Sequence, residues 1–435
     1  RPNAPIAIAA TDDLLSDLLG QGVNGLTNIY DASVAGNAAC AQVSGKQLCR
    51  SSIFDNYERA ETYNTSLSTL YNFGPALSFD SVIGVAELAH GSEYAGARIG
   101  GLSGIDYDAH SGEYLLISDA SARIYRARLH YDAQRLDMPQ FTATQDLLHT
   151  SGQPFAPWWR RQADMDRPDA EGLRWLPGKT SFLWSSEGDF SRGFGPQLRE
   201  SRLDGRPVRD IALPASFSPG TQPRRGPRGN GTLEGLALTP DGRTAWLAME
   251  LPWHQDGPQA TPDSGGAPVR ITAMDIASGQ PLRQIAYQGD AVPQRRRLPG
   301  PQINGVSEIL AHGPHHLLVL ERSYSAGAGF GARLYRIDTR AGSDTLTLDA
   351  LTPANHRPVP KTLVADLAAL GLTPDNIEGM TWGPPVQGRC VLVFVSDDNF
   401  NPAQVTQFIA AQYLGPDGDG GQCGTTGASV LSTYP

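Results

Sequence analysis

Carboxylates recur along this 435-residue chain at a spacing that would gather them into one place. Glu171 and Glu187 stand 16 residues apart, as do Glu234 and Glu250, and Ser103 and Asp119. Glu308 and Glu321 are 13 apart, and Glu378 and Asp397 are 19 apart. In the first three pairs the midpoint carries turn residues: Pro177-Gly178-Lys179, Pro240-Asp241-Gly242 and His110-Ser111-Gly112. Two positions symmetric about a hairpin turn lie side by side at its open end. Each hairpin therefore presents two acids, or a serine and an acid, at one end. Such acids raise one another's pKa unless a cation neutralises them. Oxygen-only ligation suits calcium, so Glu171, Glu234, Glu308, Glu378, Asp119 and Asp397 are the expected metal ligands. The competing reading is a scaffold of ion pairs, because Arg123, Arg192 and Arg322 stand one to five residues past a closing acid.

The elements that must position these acids repeat. Gly-Leu-Ser-Gly-Ile-Asp (101–106), Ala-Glu-Gly-Leu-Arg-Trp (170–175), Leu-Glu-Gly-Leu-Ala-Leu (233–238), Val-Ser-Glu-Ile-Leu (306–310) and Ile-Glu-Gly-Met-Thr-Trp (377–382) open five copies. Their key residues 103, 171, 234, 308 and 378 are separated by 68, 63, 74 and 70 positions. Each opening is followed by a turn, an apolar run ending in an acid, and then alternating stretches such as Arg123–Leu129 and Arg333–Asp338. A unit of about four strands repeated at this period is a propeller blade. The expected fold is all-β: a β-propeller of five or six blades over 80–415, closed by pairing of Gln404–Leu414 with Ser81–His90. Residues 1–75 form a short N-terminal extension, partly helical because Thr11–Gly20 has helix start and stop signals. Residues 416–435 read as a flexible C-terminal tail.

The formal charge of −10 argues against a nucleic-acid partner. No run approaches the ~18 uninterrupted apolar residues of a membrane span. The first residue is Arg1, as if a signal peptide had been removed, and the four cysteines favour an oxidising compartment. The expectation is a periplasmic or secreted monomer, with Cys40 and Cys49 closing one disulfide and Cys390 and Cys423 the other. The segments Trp158–Arg161 and Arg224–Arg228 read as solvated turns, with contact to an anionic substrate as the alternative.

The segments Gly-Gly-Leu-Ser-Gly-Ile-Asp-Tyr-Asp (100–108), Leu-Glu-Gly-Leu-Ala-Leu-Thr-Pro-Asp-Gly (233–242) and Leu-Glu-Arg-Ser (320–323) resemble the bacterial "esterase-like activity of phytase" proteins. So do Asp-Asn-Ile-Glu-Gly-Met (375–380) and Ser-Asp-Asp-Asn-Phe-Asn-Pro-Ala-Gln-Val-Thr-Gln-Phe (396–408). The resemblance spans roughly 80–415 and implies an exported phytase-like propeller that cleaves phosphate esters. In that reading Ser103 takes an acid's place and leaves room for an anion or water. Calcium would activate a water, and a free carboxylate among Glu187, Glu250 and Glu321 would take its proton. Arg322 and Lys361 complete the anion pocket, and Arg123 and Asn399 join Ser103 as substrate contacts. Two other readings stay open: a calcium-dependent lactonase or carboxylesterase with His90 or His254 as base, and a metal-binding propeller without catalysis.

Overall fold

The computed structural model describes residues 81–119, 122–155, 168–219 and 224–413, with the backbone of 40–43 and 46–49. The chain divides into two compact units, 1–74 and 75–435. The first contributes one described element, an antiparallel hairpin of Cys40–Val43 and Lys46–Cys49 in which Cys40 lies opposite Cys49. Cys423, the helix expected at Thr11–Gly20, Trp158–Arg161 and the 416–435 tail lie outside the described residues.

The second unit holds five four-stranded antiparallel sheets. Blade I runs Leu102–Asp108, Glu113–Ser118, Arg123–Arg128, Gln140–Asp146. Blade II runs Ala170–Trp175, Ser181–Ser186, Gln197–Arg202, Pro207–Ile211. Blade III runs Leu233–Leu238, Thr244–Met249, Val269–Asp275, Pro281–Tyr287. Blade IV is longer: Gln302–His312, His316–Ser325, Gly329–Asp338, Lys361–Asp366. Blade V takes Asn376–Val386, Arg389–Asp397 and Thr406–Tyr413 from the end of the chain, and its outer strand is Val82–Leu88 from before blade I. Thr406 pairs with Leu88 and Ile409 with Val85, the closure expected from the sequence.

First strands of successive blades touch cyclically, V meeting I, so they line the axis. One apolar cluster fills each of the five gaps between neighbouring blades. The V–I gap, for instance, is packed by Ile83, Ile105, Leu116, Val393 and Phe408. With every gap filled there is no place for a sixth blade. Burial follows position: Ser181–Ser186 is buried throughout, whereas Pro207–Ile211 at the rim of the same blade buries only its last residue.

The axis is plugged. Arg174 donates through Nη1 to the carbonyls of Ile105 and Leu173 and through Nη2 to those of Ile309 and Met380, at 2.8–3.1 Å. Its Nη2 lies 2.9 Å from Glu308 Oε2, and Glu308 Oε1 accepts the N–H of Leu236 and of Ile309. One ion pair thus ties together backbone from all five blades.

Candidate functional site

A bulge sets the site. In each blade the first strand carries one more residue than its partner: Ser103, Glu171 (with Gly172 facing Ser185), Glu234, Ser307 and Glu378. Bulges re-aim a side chain out of the ladder and are frequent beside functional sites. The glycine after the bulge answers a separate need, because neighbouring first strands approach closely there. A Cβ on Gly172 would stand 2.6 Å from Leu236 Cβ, and one on Gly235 2.9 Å from the Ile309 nitrogen.

A second tier follows the pairing partner of the residue before each bulge. It comprises Asp119, Glu187, Glu250, Arg322 and Asp397, one position past Ser118, Ser186, Met249, Glu321 and Ser396. Blade IV therefore corrects the sequence alignment. Its bulge residue is Ser307, whose hydroxyl donates to the Ile377 carbonyl at 3.0 Å, and its second-tier residue is Arg322. Glu308 takes the position held by glycine in the other blades, and it serves the axial plug.

Glu321, one residue before Arg322, points to the other face of its strand. Its carboxylate accepts from the Tyr287 hydroxyl and Lys361 Nζ, both at 2.6 Å, from Asn304 at 2.7 Å and from the Asp290 N–H. Lys361 also pairs with Asp290 at 2.7 Å and sits 4.1 Å from the Tyr335 ring centroid. These groups tie blade III to blade IV, and neither Glu321 nor Lys361 lines the acidic cavity. Arg123 pairs with Asp146 at 2.5 Å and Arg192 with Asp189 at 2.6 Å, both away from it. His90 contacts Arg98 and Asp398, and His254 contacts Arg228; neither lines the cavity. Arg123 and Arg192 thus pair with Asp146 and Asp189 rather than with the closing acids of their blades, and of the three arginines Arg322 is the one that pairs with acids of the ring.

The cavity, about 1100 Å³, opens where the two tiers converge. Among the described residues its lining carries ten carboxylates and a single cation, Arg322. Eight of the acids belong to the converging ends of the blades: Asp119, Asp169, Glu171, Glu187, Glu234, Glu250, Glu378 and Asp397. Asn399, expected as a substrate contact, also lines it, whereas Ser103 is buried beneath, beside Glu378. Arg322 bridges Glu250 at 3.2 Å and Glu378 at 3.3 Å. Glu378 also accepts from Asn376 at 2.8 Å, and Asp397 from the Asn399 N–H at 2.7 Å.

On the blade II–III side Arg322 reaches Glu250 alone by a direct ion pair, and the other acids crowd together. Asp169, Glu171 and Glu187 form one set, and Glu187, Glu234 and Glu250 another, in which one oxygen from each residue lies within 4.8 Å of the others. Burial, then the surrounding carboxylates, pushes the pKa of Glu171, Glu187 and Glu234 well above the usual carboxylate range. Asp169 is pushed up to about 6 by burial and by Glu378 and Asp189. Burial, then Asp119 and Glu378, raises Asp397 as well. Arg322 is held more firmly protonated than usual, because Glu250 and Glu378 outweigh the effect of its burial. Glu234 Oε2 is buried without a hydrogen-bond partner. An orphaned carboxylate oxygen in an all-oxygen cluster, with a second such cluster beside it through Glu187, fits a hard divalent cation, so these acids can hold one.

Three residues escaped the sequence reading. Asp169 immediately precedes the strand that carries Glu171, two residues away, a signal present in Asp-Ala-Glu. Arg174 is an isolated charge in a first strand, and Asn376 precedes Glu378 by two.

The description "Esterase-like activity of phytase" belongs to the family profile, Phytase-like, that matches residues 97–400. No curated protein matches the chain. Several solved structures share a low-level likeness. The catalytic domain of a Coprinopsis cinerea α-L-arabinofuranosidase is 10% identical with a TM-score of 0.39, over 78% of this chain and 98% of that one. A Xanthomonas campestris gluconolactonase is 11% identical with a TM-score of 0.32, over 75% and 89%. Kuenenia stuttgartiensis hydrazine synthase is 11% identical with a TM-score of 0.33, over 72% and 82%.

Proposed function

The chain belongs to the Phytase-like family, and we propose that it is an exported, calcium-dependent hydrolase of phosphate esters working at the acidic mouth of the propeller. The observation that carries this reading is the pair of three-carboxylate sets sharing Glu187, one of which meets Arg322 through Glu250. Glu187, Glu234 and Glu250, with Asp169 and Glu171 beside them, would hold the cation. Glu187 and Glu250 thereby move from proton acceptors to ligands. A bound divalent cation supplies charge neutralisation at a phosphoryl oxygen and lowers the pKa of a nearby water.

The remaining roles fall to this chain's own groups. Arg322, fixed from two sides by Glu250 and Glu378, aims a guanidinium edge at an anionic oxygen. Asp397, its pKa raised by burial and then by Asp119, is the carboxylate that would accept a proton. Asn399 beside it offers an amide for orientation. The test is phosphatase activity on a panel of phosphate esters after chelation and again after calcium is returned. Activity that vanishes and returns supports the reading; activity that survives full removal of metal contradicts it.

A further inference from the structure

Blade IV does not stop at the acid ring. Its first strand begins four residues before Val306, its second ends three residues after Arg322, and its third begins at Gly329. The three continue as a ladder: Ile303 pairs with Tyr324, and Tyr324 with Phe330. Residues directly opposite across antiparallel strands share a face. Ile303, Tyr324 and Phe330 therefore form one apolar row, and all three line the cavity with Pro301 and Ala328. The Tyr324 and Phe330 rings lie 4.7 Å apart, centre to centre, at 46°.

Exposure alternates along the second strand. Arg322 and Tyr324 are half-buried, while Ser323 and Ser325 are buried behind them. Tyr324 thus stands on the same face as Arg322, about 6–7 Å further out. The blade V side of the cavity is of a different character, lined by Asn399, Asn401, Gln404 and Gln407.

We propose that the Ile303–Tyr324–Phe330 row is the subsite for the organic part of the substrate, and that the substrate is a phosphate monoester of an aromatic or apolar alcohol. The proposal rests on the phosphoester reading above. One phosphate reaches Arg322 and the acid clusters while the row covers a flat or apolar group attached to it. A polyphosphorylated polyol fits poorly. Each further phosphate would face carboxylates with no second cation among the described residues, and the row offers it one neutral hydroxyl, that of Tyr324, and otherwise carbon.

The experiment has a turnover arm and a binding arm. Calcium-loaded protein is assayed with 1-naphthyl phosphate, glycerol phosphate and inositol hexakisphosphate. Calorimetry with naphthyl and methyl phosphonates, which cannot be hydrolysed, then measures binding alone. The variants are Tyr324→Thr, Phe330→Thr and the double, with threonine chosen to keep strand preference, and unchanged calcium affinity confirms their fold.

The expected result is at least tenfold tighter binding of the naphthyl phosphonate than of the methyl one, falling below threefold in the double variant. KM for naphthyl phosphate should rise about fivefold to tenfold per substitution, with kcat within twofold, the size of an aromatic contact. Equal binding of the two phosphonates, or a naphthyl preference that survives both substitutions, overturns the subsite. A higher kcat/KM for inositol hexakisphosphate overturns the substrate class. If no ester is turned over, the hydrolase reading fails, and the phosphonate comparison still decides whether the row binds apolar groups.

Discussion

Replacing Arg174 by methionine should reveal how much of the ring depends on its axis. Arg174 is 3% exposed and Glu308 fully buried, so neither charge has water to fall back on. The substitution removes one partner of a buried ion pair, a change that typically costs about 3–5 kcal/mol. It also leaves the carbonyls of Ile105, Leu173, Ile309 and Met380 without their shared donor. Glu308, already pushed up to about 7 by burial against the pull of Arg174, would rise further and take a proton, which limits the loss. The expected destabilisation is therefore about 3–4 kcal/mol, read as a lower urea midpoint with an unchanged slope. The double variant Arg174→Met/Glu308→Met removes both charges and should recover roughly 2 kcal/mol of that loss. Loss below about 1 kcal/mol in Arg174→Met, or simple additivity in the double variant, would refute the view that this pair ties the blades together.

Calcium should raise the melting temperature far more at pH 8 than at pH 5. The ring acids have folded-state pKa values above their unfolded ones, so without metal their contribution to stability is lost as pH rises through the folded values, about 6 for Asp169 and well above the usual carboxylate range for Glu171, Glu187 and Glu234. Calcium opposes that loss and competes with protons below it. Scanning calorimetry with and without chelator at both pH values checks this. Glu234→Gln should make the metal-free protein more stable at pH 8 while lowering calcium affinity at least tenfold by calorimetry. Arg322→Met should lower kcat/KM on phosphate esters by about 10²–10³ if the guanidinium supports the transition state. It should also destabilise the metal-free protein more at pH 8 than at pH 5, since Glu250 and Glu378 lose their counter-ion when ionised.

The fold was legible because a propeller repeats its chemistry. Acidic or serine openings, turn residues midway and closing acids recur in register, and the pairing of Thr406–Tyr413 with Val82–Leu88 follows from two apolar runs left without partners. The site was legible in blades II, III and V, where Glu-Gly marks the bulge. Blade IV misled because its bulge carries serine and its glycine position carries Glu308. The interval of 13 between Glu308 and Glu321 was the sign of the slip; Ser307 to Arg322 is 15 (322 − 307). Arg322 was singled out in the sequence, both beside a closing acid and for the anion pocket, but its partners were not, because Glu250 and Glu378 come from blades III and V. Arg174 escaped for the same reason, its partners being spread from Ile105 to Met380. Long-range electrostatics leave no local pattern.

The central claim is that the blade II–III acids hold a metal ion. A crystal soaked in manganese or calcium, with anomalous difference density measured at the mouth of the propeller, tests it most directly. The account predicts a peak about 2.0–2.6 Å from carboxylate oxygens of Glu187, Glu234 and Glu250 or of Asp169, Glu171 and Glu187. An empty cavity at saturating metal, or a peak bound only by residues outside it, would contradict the account.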